Sequence, residues 1–282
     1  MKQGKEKPGA WSWLRYWSGY ILFVAVIGYG LYSAPVELWQ IKPLWLVPAA
    51  LAIMLMQTAQ VAQFVLFLRA HQLESDWAWS WSFCARKALL NSIMPARSGT
   101  LLLMGALQKR HPVKWHDYLK FTLIAGLVSL AVSVVALAWL MLSTLHFLML
   151  LLMLAVLLSL AMRLWPHAYL QTLPRLLLIA VLLYAGMLCG FWAVLNGLGH
   201  SISFRDAAYF ATALNALAQV ALTPGNMGVR EVVLGLVAPY ISLPVATGII
   251  TGGVFFVLRL LVVGVLQLVL VPLDRAPATR HP

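Results

Sequence analysis

Six apolar runs, at about 17–36, 44–69, 118–142, 146–162, 175–197 and 245–271, confine this chain to a membrane architecture. A hydrocarbon core of ~30 Å takes roughly 20 helical residues to cross, and the runs are of that order. Soluble domains are about half apolar and a quarter charged. Here 62% of the 282 residues are hydrophobic, 10% are charged, and the mean hydropathy is +0.86. Such a chain has room for several crossings and none for a soluble catalytic domain. The net charge of +12 would suggest nucleic acid for a soluble protein; in a membrane protein, basic loops on one face account for it.

The amino-terminal stretch Met1–Trp17 is basic and aromatic, and the run Gly19–Tyr32 imitates a signal peptide ending in Ser33-Ala34. Pro35 directly follows and opposes cleavage, so an uncleaved first crossing is expected. Cys84 and Cys189 have neither disulfide-framework nor zinc spacing; both are expected as small core residues.

Two intervals depart from the pattern of full crossings. Interval 81–109 carries Arg86 and Lys87, then the break Asn91-Ser92-Ile93-Met94-Pro95-Ala96-Arg97-Ser98-Gly99. Interval 207–240 carries Thr223-Pro224-Gly225-Asn226-Met227-Gly228-Val229-Arg230-Glu231. Pro95 and Pro224, like Gly99 and Gly228, are separated by one offset of 129 residues. Helix-breaking backbone at membrane depth is tolerated only inside protein or against a wet cavity. With arms of about ten residues on each side of the break, each interval reads as a re-entrant helical hairpin; a single kinked helix is the alternative.

Orientation favours hairpins. If the amino terminus is cytoplasmic and both intervals return to their side of entry, Lys2, Lys5, Lys7, Arg15, Arg69, Lys109, Arg110, Lys114, Lys120, Arg163, Arg175, Arg275 and Arg280 lie inside. Only Lys42 and Arg205 lie outside, as the bias of basic residues toward the cytoplasm requires. The expected fold is therefore all-α and integral to the membrane, one domain over 1–282. Six transmembrane helices and two re-entrant hairpins form an inverted-topology repeat, about 17–142 and about 146–271. Paired breaks of this kind mark transport sites.

The second arm of each hairpin would start at the tip, where free backbone N–H groups and the positive helix end attract anions. Ser98 and Asn226 stand at expected N-cap positions, while Gly99, Gly225 and Gly228 permit tight turns. Arg97, Arg230, Glu231 and Arg259 fall in otherwise apolar stretches, and intramembrane charges are functional candidates that need partners. Three arginines against one glutamate leave positive charge for an anionic head group, with Glu231 paired to Arg259 or Arg97. A fully self-paired cluster, or residues that merely satisfy the helix break, are the bland alternatives. Gln57, Thr58, Gln60 and Gln63 would line the cavity or bond neighbouring helices. Gly186-x-x-x-Gly190 and Gly248-x-x-x-Gly252 would allow close helix packing. The tryptophans Trp11, Trp13, Trp17, Trp77, Trp79 and Trp81 read as interfacial belts.

Asn91-x-x-x-Pro95-x-Arg97-x-Gly99 and Thr223-Pro224-Gly225-x-x-Gly228-Val229-Arg230-Glu231, followed by Arg259, resemble the lysylphosphatidylglycerol synthase transmembrane family, also called flippase-like. The resemblance spans essentially the whole chain. Thr100 and Leu103 stand where that family carries an acid and a basic residue. The resemblance implies translocation of a lipid: an aminoacylated phospholipid, a polyprenyl-phosphate-linked sugar or a hopanoid-type lipid. No soluble synthase domain follows Pro282, so the lipid-modifying activity is not expected.

The expected function is transfer of an anionic phospholipid or polyprenyl-phosphate-linked glycolipid between leaflets of a bacterial inner membrane, with both termini cytoplasmic. The substrate-binding set is Asn91, Pro95, Arg97, Ser98, Gly99, Pro224, Gly225, Asn226, Gly228, Arg230, Glu231 and Arg259. Neither catalytic residues, a metal nor a cofactor is expected: dinucleotide, nucleotide-phosphate and zinc-helix motifs are all missing from the sequence. A small-solute or ion transporter, a membrane enzyme acting on lipid phosphate, and a membrane subunit supporting a lipid-modifying enzyme or glycosyltransferase are the rivals. No nucleic-acid partner is expected.

Overall fold

The computed structural model describes residues 10–33, 41–74, 76–94, 98–141, 171–219 and 223–274. These residues form nine α-helices and no strand. In chain order they are α1 Ala10–Ser33, α2 Leu46–Ala70, α3 Trp77–Ile93, α4 Ser98–Arg110, α5 Trp115–Met141, α6 Leu173–Gly197, α7 Phe204–Gln219, α8 Val229–Val237 and α9 Val245–Asp274.

Four stretches are long and apolar enough to cross a membrane: Pro43–Ala70, Trp115–Trp139, Leu173–Gly197 and Val245–Leu270. The expected first crossing is helical, but its apolar stretch, Trp17–Ser33, is shorter. The expected crossing at 146–162 lies outside the described residues. The distribution of side chains is that of a membrane protein. Ile21, Val24, Leu123, Leu178 and Leu268 point outward, whereas Gln57, Ser133, Asn215 and Glu231 are buried.

Helices α2 and α6 form the central antiparallel pair. The Lys42 N–H donates to the Gly197 carbonyl at 2.9 Å, which fixes the start of α2 beside the end of α6. Gly186 permits the contact, since a Cβ there would stand 2.6 Å from Met56 Cγ and 3.0 Å from the Ala52 carbonyl; Gly190 does the same for α9, where a Cβ would stand 2.7 Å from a Phe255 ring carbon. In lipid, apolar surface alone does not drive helices together, so small residues that let backbones approach decide where they pack. Gly248 does the same where α9 meets α8, and a side chain there would strike the Leu234 carbonyl. Helix α9 packs against α8, α3 and α1; α5 packs against α6 and α7.

Helices α3 and α4 are an antiparallel hairpin closed at its base. Asp76, the N-cap of α3, and Arg110, the last residue of α4, form an ion pair at 3.3 Å. The first arm is longer than its expected start at 81, because Asp76 Oδ1 accepts the free N–H groups of Ala78 at 3.0 Å and Trp79 at 3.3 Å. A capped helix can begin four residues earlier than hydropathy suggests. The arms are thus 17 and 13 residues rather than about ten.

Trp79 also departs from expectation. It packs inward against Phe64 and Phe83, with the Arg110 guanidinium over its ring at 4.7 Å; Trp77 and Trp17 are exposed as interfacial residues would be, and the side chains of Trp11 and Trp13 lie outside the described residues. Cys84 is buried as expected, but Cys189 is exposed, because α6 turns that position away from α2.

Candidate functional site: the meeting of two hairpin tips

The break after α7 is a left-handed turn. Gly225 has φ +54°, Asn226 φ +54° and Gly228 φ +79°. Only glycine enters this region freely, with asparagine next best, so the sequence Pro-Gly-Asn-Met-Gly is suited to this reversal. Asn226 is not the N-cap of α8. Its side-chain amide donates to the Leu217 carbonyl at 3.0 Å and joins the tip to α7. The N-cap is Gly228. Gly228 has no side chain to cap with, and Glu231 takes over: its Oε2 accepts the Gly228 N–H at 2.7 Å. This is the reaching-back half of a capping box.

The other carboxylate oxygen, Glu231 Oε1, accepts from Arg230 Nε at 2.9 Å and from the neighbouring guanidinium nitrogen. Arg230 is 4% exposed and Glu231 0%. The Arg230 guanidinium also lies over the Phe256 ring of α9 at 4.2 Å. The expected pairing of Glu231 with Arg259 is therefore corrected; Arg97, the other expected partner, lies outside the described residues. Adjacent residues at the first turn of α8 bring Arg230 and Glu231 together, and both carboxylate oxygens are engaged. Arg259 is half-buried and stands one turn beyond Phe256 on α9, the residue whose ring the Arg230 guanidinium covers. Among the described residues it has no hydrogen-bond or ion-pair partner, so the cluster carries one net positive charge.

The first tip is held by different chemistry. Thr100, at the start of α4, exchanges two hydrogen bonds with Asn91 of α3. The Asn91 amide donates to Thr100 Oγ1 at 2.8 Å, and the Thr100 N–H donates to Asn91 Oδ1 at 2.9 Å. Asn91 thus caps α4 from across the hairpin and is committed to closing it. Gly99 allows the closure: a Cβ there would stand 2.6 Å from Leu90 Cβ and 2.8 Å from the Asn91 backbone nitrogen. Helix α4 begins at Ser98 itself. Pro95 and Arg97 lie outside the described residues. Pro224 opens the short turn Pro224–Asn226.

The two tips touch. A Cβ on Gly225 would lie 3.0 Å from Ser92 Cα and 3.1 Å from the Ser92 carbonyl, so backbone meets backbone across the two hairpins. Helix α1 braces both. The Tyr20 hydroxyl donates to the Ile93 carbonyl, and Leu22 lies 2.6 Å from where a Gly228 Cβ would be. Asn91, Ser92, Gly99, Gly225, Asn226, Gly228, Arg230 and Glu231 are thereby gathered around one junction, with Arg259 beside it.

A second polar group was not singled out by sequence. Asn215 of α7 donates to the Ser129 carbonyl at 2.9 Å, to Ser129 Oγ at 3.1 Å and to Ser133 Oγ on α5. Thr212 and Tyr184 extend this network at 3.4 Å and 3.3 Å. On the other hairpin, Arg86 donates to Ser82 Oγ at 2.7 Å and Lys87 to the Tyr118 hydroxyl at 3.2 Å. Serine and threonine are common in membrane helices, so only position in three dimensions distinguishes this set. Gln57 is 2% exposed and its amide nitrogen lacks a hydrogen-bond acceptor among the described residues, so it does not bond a neighbouring helix there. Thr58 bonds its own helix at the Met54 carbonyl. No cluster of three or more metal-ligating side chains occurs among the described residues.

No protein-family model, no curated protein and no solved structure matches this chain.

Proposed function

We propose that the chain translocates an anionic lipid between membrane leaflets and is built as an inverted-topology repeat with two re-entrant hairpins. The observation that carries the function is Arg259: a cation at the middle of an apolar helix, beside a second arginine already neutralised by Glu231. A charge at that depth is costly and is kept for ligand or ion pathways. The Arg230–Glu231 pair fixes the tip of α8 against α9, and Arg259 remains as the group whose charge a phosphate would complement.

The repeat is supported by register. Displacing α2, α3, α4 and α5 by 129 residues places them at 175–199, 206–222, 227–239 and 244–270. The second half has α6 at 173–197, α7 at 204–219, α8 at 229–237 and α9 at 245–274. Four helices thus share the offset first read from two proline–glycine motifs. The packing is exchanged in the same way: α5 lies on α7 of the other half, and α9 on α3. Sidedness is supported by two contacts. Lys42 and Gly197 meet on one face, and the basic base of the first hairpin, around Arg110, would lie on the other. With that face cytoplasmic, basic residues fall where the bias of basic loops expects them. A bacterial inner membrane with both termini cytoplasmic and the resemblance to the flippase-like family agree with this reading.

The test is translocation of a fluorescent short-chain phosphatidylglycerol in proteoliposomes. A hydrogen bond to a charged group contributes about 1.5–3 kcal/mol, so Arg259→Gln should slow translocation about tenfold or more, and Arg259→Lys should retain most of it. Wild-type rates for Arg259→Gln would refute the phosphate site. Activity toward soluble phosphate but not lipid would instead mark a solute transporter.

A further inference from the structure

The same displacement of 129 residues carries Arg86 of α3 onto Asn215 of α7. Each stands on the first arm of its hairpin, and each bonds a long helix of the opposite half. Asn215 reaches Ser129 and Ser133 on α5. Arg86 and Ser82 reach Gln267 on α9: with the Gln267 amide oriented to satisfy both neighbours, its nitrogen donates to the Ser82 carbonyl at 3.1 Å and its oxygen accepts from Arg86 Nε at 3.3 Å. The two contacts are equivalent on the hairpin side, whereas on the long helices Ser129 and Ser133 displaced by 129 residues fall at 258 and 262, before Gln267; in character they are opposite.

We propose that the α3–α9 contact is the gate that opens and the α5–α7 contact is the fixed pivot. This rests on the transport reading above. Between helices in lipid, apolar contacts are exchanged for equally apolar lipid tails, so polar groups decide which contact is hard to part. Ser133 is 0%, Asn215 3% and Ser129 6% exposed. Separating α5 from α7 would strand the Asn215 amide and the Ser129 hydroxyl in an apolar surrounding with their hydrogen bonds unmade, which is heavily penalised; Ser133 would keep only its bond to the Ser129 carbonyl on its own helix. Arg86 and Gln267 are half-buried. A guanidinium on a flexible stem can exchange an amide for water as it emerges, and Ser82, although 0% exposed, takes its hydrogen bond from Arg86 on its own helix, so the same separation there strands neither. Gly126 reinforces the asymmetry: the Gln219 side-chain oxygen occupies the space a Cβ on Gly126 would need, so α7 lies directly on the α5 backbone. On this reading the tip junction at Ser92 and Gly225 is reached from the face that carries Asp76 and Arg110.

Paired cysteines oxidised to a reducible disulfide, a step that leaves a lone third cysteine as its thiol, test this on a Cys84→Ser, Cys189→Ser background. Ser82→Cys with Gln267→Cys clamps the proposed gate, and Ser133→Cys with Asn215→Cys clamps the proposed pivot. The first readout needs no substrate: labelling by a membrane-impermeant maleimide of a third cysteine, Ser92→Cys, added after clamping. Clamping the gate should protect Ser92→Cys and stop lipid translocation, and reduction should restore both. Clamping the pivot should change neither. Where Asn215→Cys fails to fold, Thr212→Cys with Ser133→Cys takes its place. The proposal is overturned if the clamped gate leaves labelling unchanged, or if clamping the pivot alone protects Ser92→Cys. Labelling that follows the proposal while no lipid moves in any variant would leave the gate standing and remove the lipid reading.

Discussion

Asp76 and Arg110 bond at 3.3 Å although 34 residues of chain, including two helices and a break, separate them. That contact makes α3 and α4 a hairpin and not one kinked helix. It does so by geometry more than by strength, since both side chains are about half exposed and such pairs contribute about 0–1 kcal/mol. Asp76 has a second role as the cap of α3. Asp76→Ala should therefore destabilise by about 1 kcal/mol, and Arg110→Ala by less. Apparent melting temperatures in detergent would check the order; a larger drop for Arg110→Ala would remove the capping argument.

The buried pair at the second tip predicts a partner-specific rescue. Glu231→Gln leaves Arg230 unpaired in an apolar site, which costs about 3–5 kcal/mol. Adding Arg230→Met, which keeps the contact with Phe256, should recover most of that stability. Adding Arg259→Gln instead should recover little. If Arg259→Gln proves the better rescue in thermal unfolding, Glu231 balances Arg259 and the pairing seen here is not the one that matters.

Gly228 combines a left-handed φ of +79° with close approach to Leu22. Gly228→Ala should destabilise through both. Leu22→Ala in the same chain should relieve only the clash, because an alanine still pays roughly 1 kcal/mol or more for the left-handed backbone. Full recovery in the double variant would show that the turn can relax.

Stability should depend on pH through His111. Burial foremost, and then the neighbouring Arg110, hold the His111 imidazole below its ordinary 6.5, with Glu74 opposing. The folded state thus prefers the neutral ring, while the unfolded chain takes up a proton near 6.5. Stability from this group is complete above that pH and declines as pH falls below it. His111→Gln should flatten that decline in melting curves between pH 7.5 and 5, limits that bracket a typical histidine titration. An unchanged pH profile would place the acid sensitivity elsewhere.

Buried polar side chains should behave unlike exposed ones. Asn215→Leu strands the Ser129 hydroxyl and should cost about 1–3 kcal/mol. Thr58→Leu, on the outer face of α2, should be near neutral. Equal losses on thermal unfolding would mean that Asn215 is not the centre of its network.

The apolar runs by themselves determined the helical class, because backbone in lipid must satisfy its own hydrogen bonds. The proline–glycine breaks determined where helices stop, since φ and missing donors are local properties of those residues. The tight helix crossings at Gly186 and Gly190 were legible for the same reason. What sequence could not decide was who meets whom. Arg230 and Glu231 are neighbours in the chain, yet only the left-handed turn at Gly228 buries both, sets Arg230 over Phe256 and, among the described residues, leaves Arg259 without an acid. Asn91 was expected at a ligand, and the return of α4 spends its amide on Thr100. Asn215, Ser129 and Ser133 are unremarkable polar letters until α5 and α7 are laid together. Pairing is a property of three-dimensional distance, and in a bundle whose helices are all apolar, periodicity carries too little signal to choose among partners.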